Sequence, residues 1–237
     1  MAAVPAIGRV SSEPEKITMF RTPPPTDDAR GAITRLIQDW GLWRDTCRWE
    51  ELRAAYAPEA TMTTTWFDGK ASDFVDASMR MSSGATLVQH FIGPSTIDVH
   101  GARAIAETRL ILLVRGALDG IDVDVTCYAR FYDRLVRDGE RWLILSRTPI
   151  YEKDTLQPVA PGQRIDIPAE ALARHPRGFC HLAHVQASGG ATITAGIPAH
   201  NSEAQASLYR EGQRWLAETA ETGSLRTHIN TASPEHS

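Results

Sequence analysis

The stretch Ile121-Asp122-Val123-Asp124-Val125-Thr126-Cys127-Tyr128-Ala129-Arg130-Phe131-Tyr132 alternates apolar and polar residues without a break. A period of two is that of a β-strand, whose successive side chains point to opposite faces. One face is apolar, and the other is polar but aromatic. Outward from this strand, Leu87 to Val99, Ala102 to Arg115, Ile121 to Arg137 and Arg141 to Glu152 read as long strands. They are separated by His100-Gly101, Asp119-Gly120 and Asp138-Gly139, each a hairpin turn signal. The segment therefore reads as an antiparallel meander.

Upstream the period changes. After Thr26 or Asp27, either a plausible N-cap, the apolar positions Ile33, Leu36, Ile37, Trp40, Trp43 and Cys47 recur at helical spacing and predict a first amphipathic helix. Arg44 falls on that stripe while Asp45 lies toward its edge, so the helix bends or opens onto a cavity there. Trp49, Leu52, Ala55 and Tyr56 predict a short second helix that Pro58 ends. Thr61 to Trp66 is rich in β-branched residues and reads as a strand closed by Asp68-Gly69. Ser72 to Met81 reads as a third helix, terminated by Gly84. Helices followed by a meander indicate an α+β domain with helices on one face of the sheet.

Residues 1–28, with Pro23-Pro24-Pro25 and no periodicity, read as an arm or a disordered tail. The main domain is assigned to residues 29–156. Residues 157–237 form an extension, broken by Pro161-Gly162, Pro176-Arg177-Gly178 and Gly189-Gly190, with a terminal helix from Ser202 to about Glu218. This extension is expected to wrap the main domain or a partner subunit. With 237 residues, 42% hydrophobic and 23% charged, and a net charge of −4, the composition is that of a soluble globular protein with no basic surface for nucleic acid. The longest apolar run, Leu110 to Val114, is far short of a membrane span, and a cytoplasmic location is expected. Three cysteines, Cys47, Cys127 and Cys180, have no paired spacing and read as idle thiols.

A carboxylate, an imidazole and a guanidinium, Asp45, His90 and Arg147, stand in contexts that suit proton abstraction. Their surroundings carry a resemblance. Trp43-Arg44-Asp45 through Trp49-Glu50-Glu51-Leu52 to Tyr56-Ala57-Pro58-Glu59-Ala60, then Gln89-His90-Phe91-Ile92-Gly93, then Gly139-Glu140-Arg141-Trp142-Leu143-Ile144 to Arg147 resemble the SnoaL-like branch of the nuclear transport factor 2-like superfamily. That branch includes scytalone dehydratase, dehydrochlorinase and polyketide cyclase relatives. The resemblance covers roughly Arg30 to Asp154.

The resemblance implies a cone-shaped α+β barrel, with N-terminal helices packed in a strongly curved, mainly antiparallel sheet around an apolar pocket. It implies an Asp45–His90 dyad, with Arg147, five residues after Trp142, assisting the leaving group. In such a dyad the imidazole takes a proton, the carboxylate fixes its tautomer, and the guanidinium steadies the developing anion. Neither metal nor organic cofactor is needed. The chain departs from the scytalone dehydratase pattern in having Arg44 for a tyrosine before the Asp, and from the dehydrochlorinase pattern in having Trp40 where a lysine stands.

The expected function is a cofactor-independent lyase or isomerase, dehydratase-type, acting on a hydrophobic cyclic or aromatic small molecule. The alternative is a non-catalytic ligand-binding or assembly subunit of the same fold. Trp40, Trp66, Phe91, Tyr128, Arg130 and Tyr132 are the substrate-binding candidates. Arg147 has a competing use in a sheet-face ion pair with Glu107 or Asp124. His175, Cys180, His181 and His184 offer zinc-type ligands, but their spacing matches no standard signature and Pro176 and Gly178 interrupt it, so no metal site is assigned. A homodimer or homotrimer is expected, with no nucleic acid and no membrane as partner.

Overall fold

The structure, a computed structural model, describes residues 28–82 and 87–227. The helix α1 spans Ala29–Asp45, α2 Trp49–Ala54 and α3 Ala71–Met81. Strands run β1 Tyr56–Thr63, β2 Asp68–Lys70, β3 Leu87–His100, β4 Arg103–Leu118, β5 Ile121–Asp138 and β6 Arg141–Pro158. Three further helices follow, α4 Ala169–Leu172, α5 Cys180–Ser188 and α6 Glu203–Thr227. The arm expected at residues 1–28 lies outside the described residues up to Asp27, as does the expected helix stop at Gly84.

The meander is present, with every strand somewhat longer than the period alone indicated. Between β4 and β5, Asp119 and Gly120 both take positive φ, 50° and 78°, which is the primed turn that matches strand twist. The strands form one sheet in the order β2-β1-β6-β5-β4-β3. It is mixed, because β1 pairs parallel with β6 while the other pairs are antiparallel. The sheet is curved but open, with β2 and β3 as edges, and does not close into the barrel the resemblance implied. Register shifts at Ile92/Ser95, Tyr128/Ala129 and Arg134/Leu135 are bulges that bend it.

Three local expectations need correction. The cap of α1 is Asp28, whose Oδ1 accepts the Gly31 N–H at 2.8 Å, and not Thr26 or Asp27. Cys47 lies beyond the helix, exposed and with φ 58°. Tyr56 opens β1 instead of closing α2, and Pro58 is accommodated within that strand.

The alternation of β5 decides what each face buries. Its apolar face, with Val123, Val125, Cys127, Ala129 and Phe131, meets α1, α3 and α5 in the main core. The other face carries a smaller cluster in which Ile105, Tyr132 and Ile150 pack against Leu216 of α6. The extension therefore contributes to both sides of the sheet. No described helix is long and apolar enough to cross a membrane.

Candidate active site

Helix α1 brings four residues of interest together within its last two turns. Trp40 and Arg44 are four residues apart and share the buried face, although one is apolar and the other charged. Gly41 lets the helix lie close to β3, since a Cβ there would stand 2.7 Å from Cγ1 of Ile92 and 3.5 Å from the His90 carbonyl oxygen. One turn later this close approach sets Asp45 against His90.

The Asp45 carboxylate grips His90 twice. Oδ2 accepts the His90 backbone N–H at 2.6 Å, and Oδ1 lies 2.6 Å from ring Nδ1. A carboxylate is an acceptor, so this contact assigns the proton to Nδ1 and leaves Nε2 with its lone pair. Among the described residues no hydrogen bond engages Nε2. The ring is further fixed by Trp40, edge-on at 5.3 Å between centroids. Burial lowers the His90 pKa below its ordinary value, outweighing the opposite effect of the Asp45 hydrogen bond; Arg44 and Arg147 push in the same direction as burial. The lowered pKa favours the neutral imidazole, the state a general base requires.

His90 faces a cavity of about 260 Å³ between the helices and the concave face of the sheet. Its walls are mainly apolar, from Trp40, Trp66, Phe74, Leu110, Leu112 and Phe131, and α5 contributes Val185 and Gln186. Of the substrate-binding candidates, Trp40 and Trp66 line this cavity, but Phe91, Tyr128, Arg130 and Tyr132 do not. The reason is the period of two. His90 pairs with Leu112 and points inward, so its neighbour Phe91 must point outward, where it is 66% exposed. Tyr128, Arg130 and Tyr132 share the outer face: Lys153 lies over Tyr128, Arg130 pairs with Glu107 and Glu152, and Tyr132 is buried under α6 beside Tyr209.

Arg147 also departs from expectation. It points inward, but it is fully buried and is not part of the cavity wall. Its Nε and Nη2 donate to the two oxygens of the equally buried Asp133 at 2.7 and 2.8 Å. The guanidinium carbon stands 4.2 Å from the ring centroids of both Trp40 and Phe131. Nη1 has no hydrogen-bond partner. Neither Glu107 nor Asp124 is its partner, since Arg130 and Arg115 respectively hold those carboxylates. Arg147 thus braces two walls of the cavity from behind.

The residue that sequence reasoning missed is Arg44. It lines the cavity beside His90 and is only 8% exposed. Its position on the apolar stripe was the available signal. The histidine and cysteine cluster considered for zinc is also rearranged: Asp154 joins Cys180 and His181, with Oδ1 2.8 Å from His181 Nδ1 and Oδ2 accepting the Leu182 N–H. Asp154 there ties the first turn of α5 to β6.

Several known proteins are similar to this chain. The model of the SnoaL-like domain matches residues 26–148. A PEP2-like protein of Fusarium vanettenii is 32% identical over 196 residues, covering 78% of this chain and 84% of its own length. Pea pathogenicity protein 2 of the same fungus is 30% identical over 195 residues, with 78% and 84% covered. Among solved structures, a type 2 hexachlorocyclohexane dehydrochlorinase superposes with a TM-score of 0.48 at 14% identity, covering 60% of this chain and 95% of that one.

Proposed function

The chain belongs to the SnoaL-like domain family, and from that premise we propose that it is a cofactor-independent lyase or isomerase of the dehydratase type, acting on a hydrophobic cyclic or aromatic molecule. His90 is the general base and Asp45 its orienting carboxylate. The observation that carries this reading is the double contact of Asp45 with His90, at 2.6 Å each, which leaves Nε2 unengaged at an apolar cavity.

In the first step Nε2 takes a proton from a carbon of the substrate, and the electron pair of that C–H bond moves toward an adjacent activating group. The imidazolium then returns the proton. Returned to a departing hydroxyl on the neighbouring carbon, it completes loss of water and leaves a carbon–carbon double bond; returned to a different carbon, it completes an isomerisation. Asp45 stabilises the imidazolium between the two transfers without itself becoming protonated. The apolar walls keep water from competing for the base.

The test is exchange of carbon-bound hydrogen for solvent deuterium, followed by NMR over a panel of cyclic and aromatic carbonyl compounds. His90→Asn is expected to slow exchange by about 10²–10⁴-fold, and Asp45→Asn by a comparable factor through the wrong tautomer. Full exchange in both variants, each folded as judged by circular dichroism, would refute the base assignment and favour a ligand-binding role.

A further inference from the structure

We propose that Arg44 is the receptor for a negatively charged oxygen group on the ligand of this cavity, so that the substrate is an apolar cyclic or aromatic molecule bearing one oxyanion, such as a carboxylate. The inference rests on reading the cavity as the substrate site, and it adds a recognition element that the base chemistry does not require.

A buried guanidinium is costly unless something pairs with it, and buried arginines are accordingly found in ion pairs or hydrogen bonds. Arg147 obeys this rule through Asp133, and Arg130 through Glu107 and Glu152. Arg44 does not. It is 8% exposed, yet among the described residues it makes no ion pair and no side-chain hydrogen bond, and its guanidinium carbon stands 5.7 Å from the centroid of the Trp49 ring.

Both oxygens of the adjacent Asp45 carboxylate are turned to His90, and no hydrogen bond joins that carboxylate to Arg44. Asp45 still acts on Arg44 through space, and burial nonetheless lowers the Arg44 pKa. Among the described residues the cavity wall contains no Asp or Glu, and its ionisable groups there are the Arg44 guanidinium, the His90 imidazole and the phenol of Tyr151. A planar fork of N–H donors in the wall of an apolar chamber fits a planar oxyanion. The rest of the wall accounts for an apolar remainder.

The measurement uses the full chain and a series of aromatic and alicyclic carboxylates, from benzoate to 2-naphthoate, each paired with its neutral amide. Binding is read by quenching of intrinsic fluorescence, since Trp40 and Trp66 line the cavity. At least one carboxylate is expected to bind about tenfold or more tightly than its amide, as a charge-assisted hydrogen bond implies. Arg44→Gln should erase that preference while retaining amide binding, and Arg44→Lys should restore part of it. His90→Asn should keep the preference, so failure here and failure of the base chemistry are separable.

Thermal melting of the unliganded protein supplies a second readout. A structural arginine would lower the melting temperature when lost, whereas Arg44→Met, which removes a largely buried guanidinium that has no hydrogen-bonded partner among the described residues, should melt no lower than wild type. Absence of any carboxylate preference across the series, its persistence in Arg44→Gln, or a clear loss of stability in Arg44→Met would overturn the assignment.

Discussion

Replacing Arg147 by Met separates a bracing role from a catalytic one. Both partners of the Arg147–Asp133 pair are fully buried, and the guanidinium meets the carboxylate through two hydrogen bonds of 2.7 and 2.8 Å. Met fills much of the volume but leaves the Asp133 carboxylate buried without a counter-charge, which costs about 3–5 kcal/mol. The contacts with Trp40 and Phe131 at 4.2 Å are lost as well, so about 4 kcal/mol is a central figure. For a chain of this size that corresponds to a melting temperature roughly 8–16 °C lower. Removing both charges in Asp133→Leu/Arg147→Met takes away the uncompensated ion, and stability should return to within about 2 kcal/mol of wild type. Urea unfolding followed by fluorescence measures all three variants. A loss below about 1 kcal/mol in the single variant, or a double variant no more stable than the single one, would refute the pairing argument. Deuterium exchange retained by the double variant within about tenfold would place Arg147 outside the reacting atoms.

Two further outcomes follow from the same geometry. Because the His90 pKa is lowered in the folded chain, the unfolded chain binds more protons as pH falls through the ordinary histidine value of about 6.5. His90 therefore contributes nothing adverse above that value and destabilises the fold progressively below it; His90→Asn should flatten this acid limb in urea unfolding measured from pH 7 to pH 5, and an unchanged limb would refute the linkage. Gly41→Ala sets a helix-propensity gain of about 1 kcal/mol against an overpacking cost of about 1–3 kcal/mol from a Cβ placed 2.7 Å from Ile92 Cγ1, so stability should fall by up to about 2 kcal/mol while exchange of carbon-bound hydrogen falls several-fold as Asp45 is displaced from His90; undiminished exchange would show that the close approach is not needed.

How much of this was legible in the sequence depends on which period governed each residue. The alternation from Ile121 to Tyr132 and the three turn dipeptides carried the meander, because a strand's period and its hairpin chemistry are local properties. The same alternation excluded Phe91 from the cavity once His90 was taken to face inward, since adjacent strand residues point apart. Tyr128, Arg130 and Tyr132 were misplaced for a related reason: an aromatic face suggests a pocket, but the apolar face is the one that meets α1, α3 and α5 and lines the cavity, while the aromatic face lies under α6. The parallel pairing of β1 with β6 was not legible, because it joins segments far apart in sequence that share no turn. The partner of Arg147 was hidden likewise, since Asp133 is its cross-strand neighbour only in a register shifted by a bulge at Arg134/Leu135. Arg44 did leave a mark, as the one charge on an otherwise apolar helical stripe.

The neighbours Arg44 and Asp45 act in opposite senses on His90, and the balance gives the cavity its character. Asp45 favours the imidazolium through its hydrogen bond, whereas burial and the Arg44 charge oppose it, and the opposing influences prevail. An anion seated on Arg44 would cancel one of those influences and raise the basicity of Nε2. Linkage makes this reciprocal: a ligand that raises the pKa of the base binds more tightly when the base is protonated. The proton abstracted from carbon leaves an electron pair behind, so the imidazolium and the substrate anion appear together, and the net charge of the cavity does not change during the transfer. Arg44 would thereby couple recognition to chemistry without touching the proton. An apolar molecule lacking the oxyanion would meet a weaker base in the same chamber, and selectivity would be expressed in the rate of proton transfer as well as in binding.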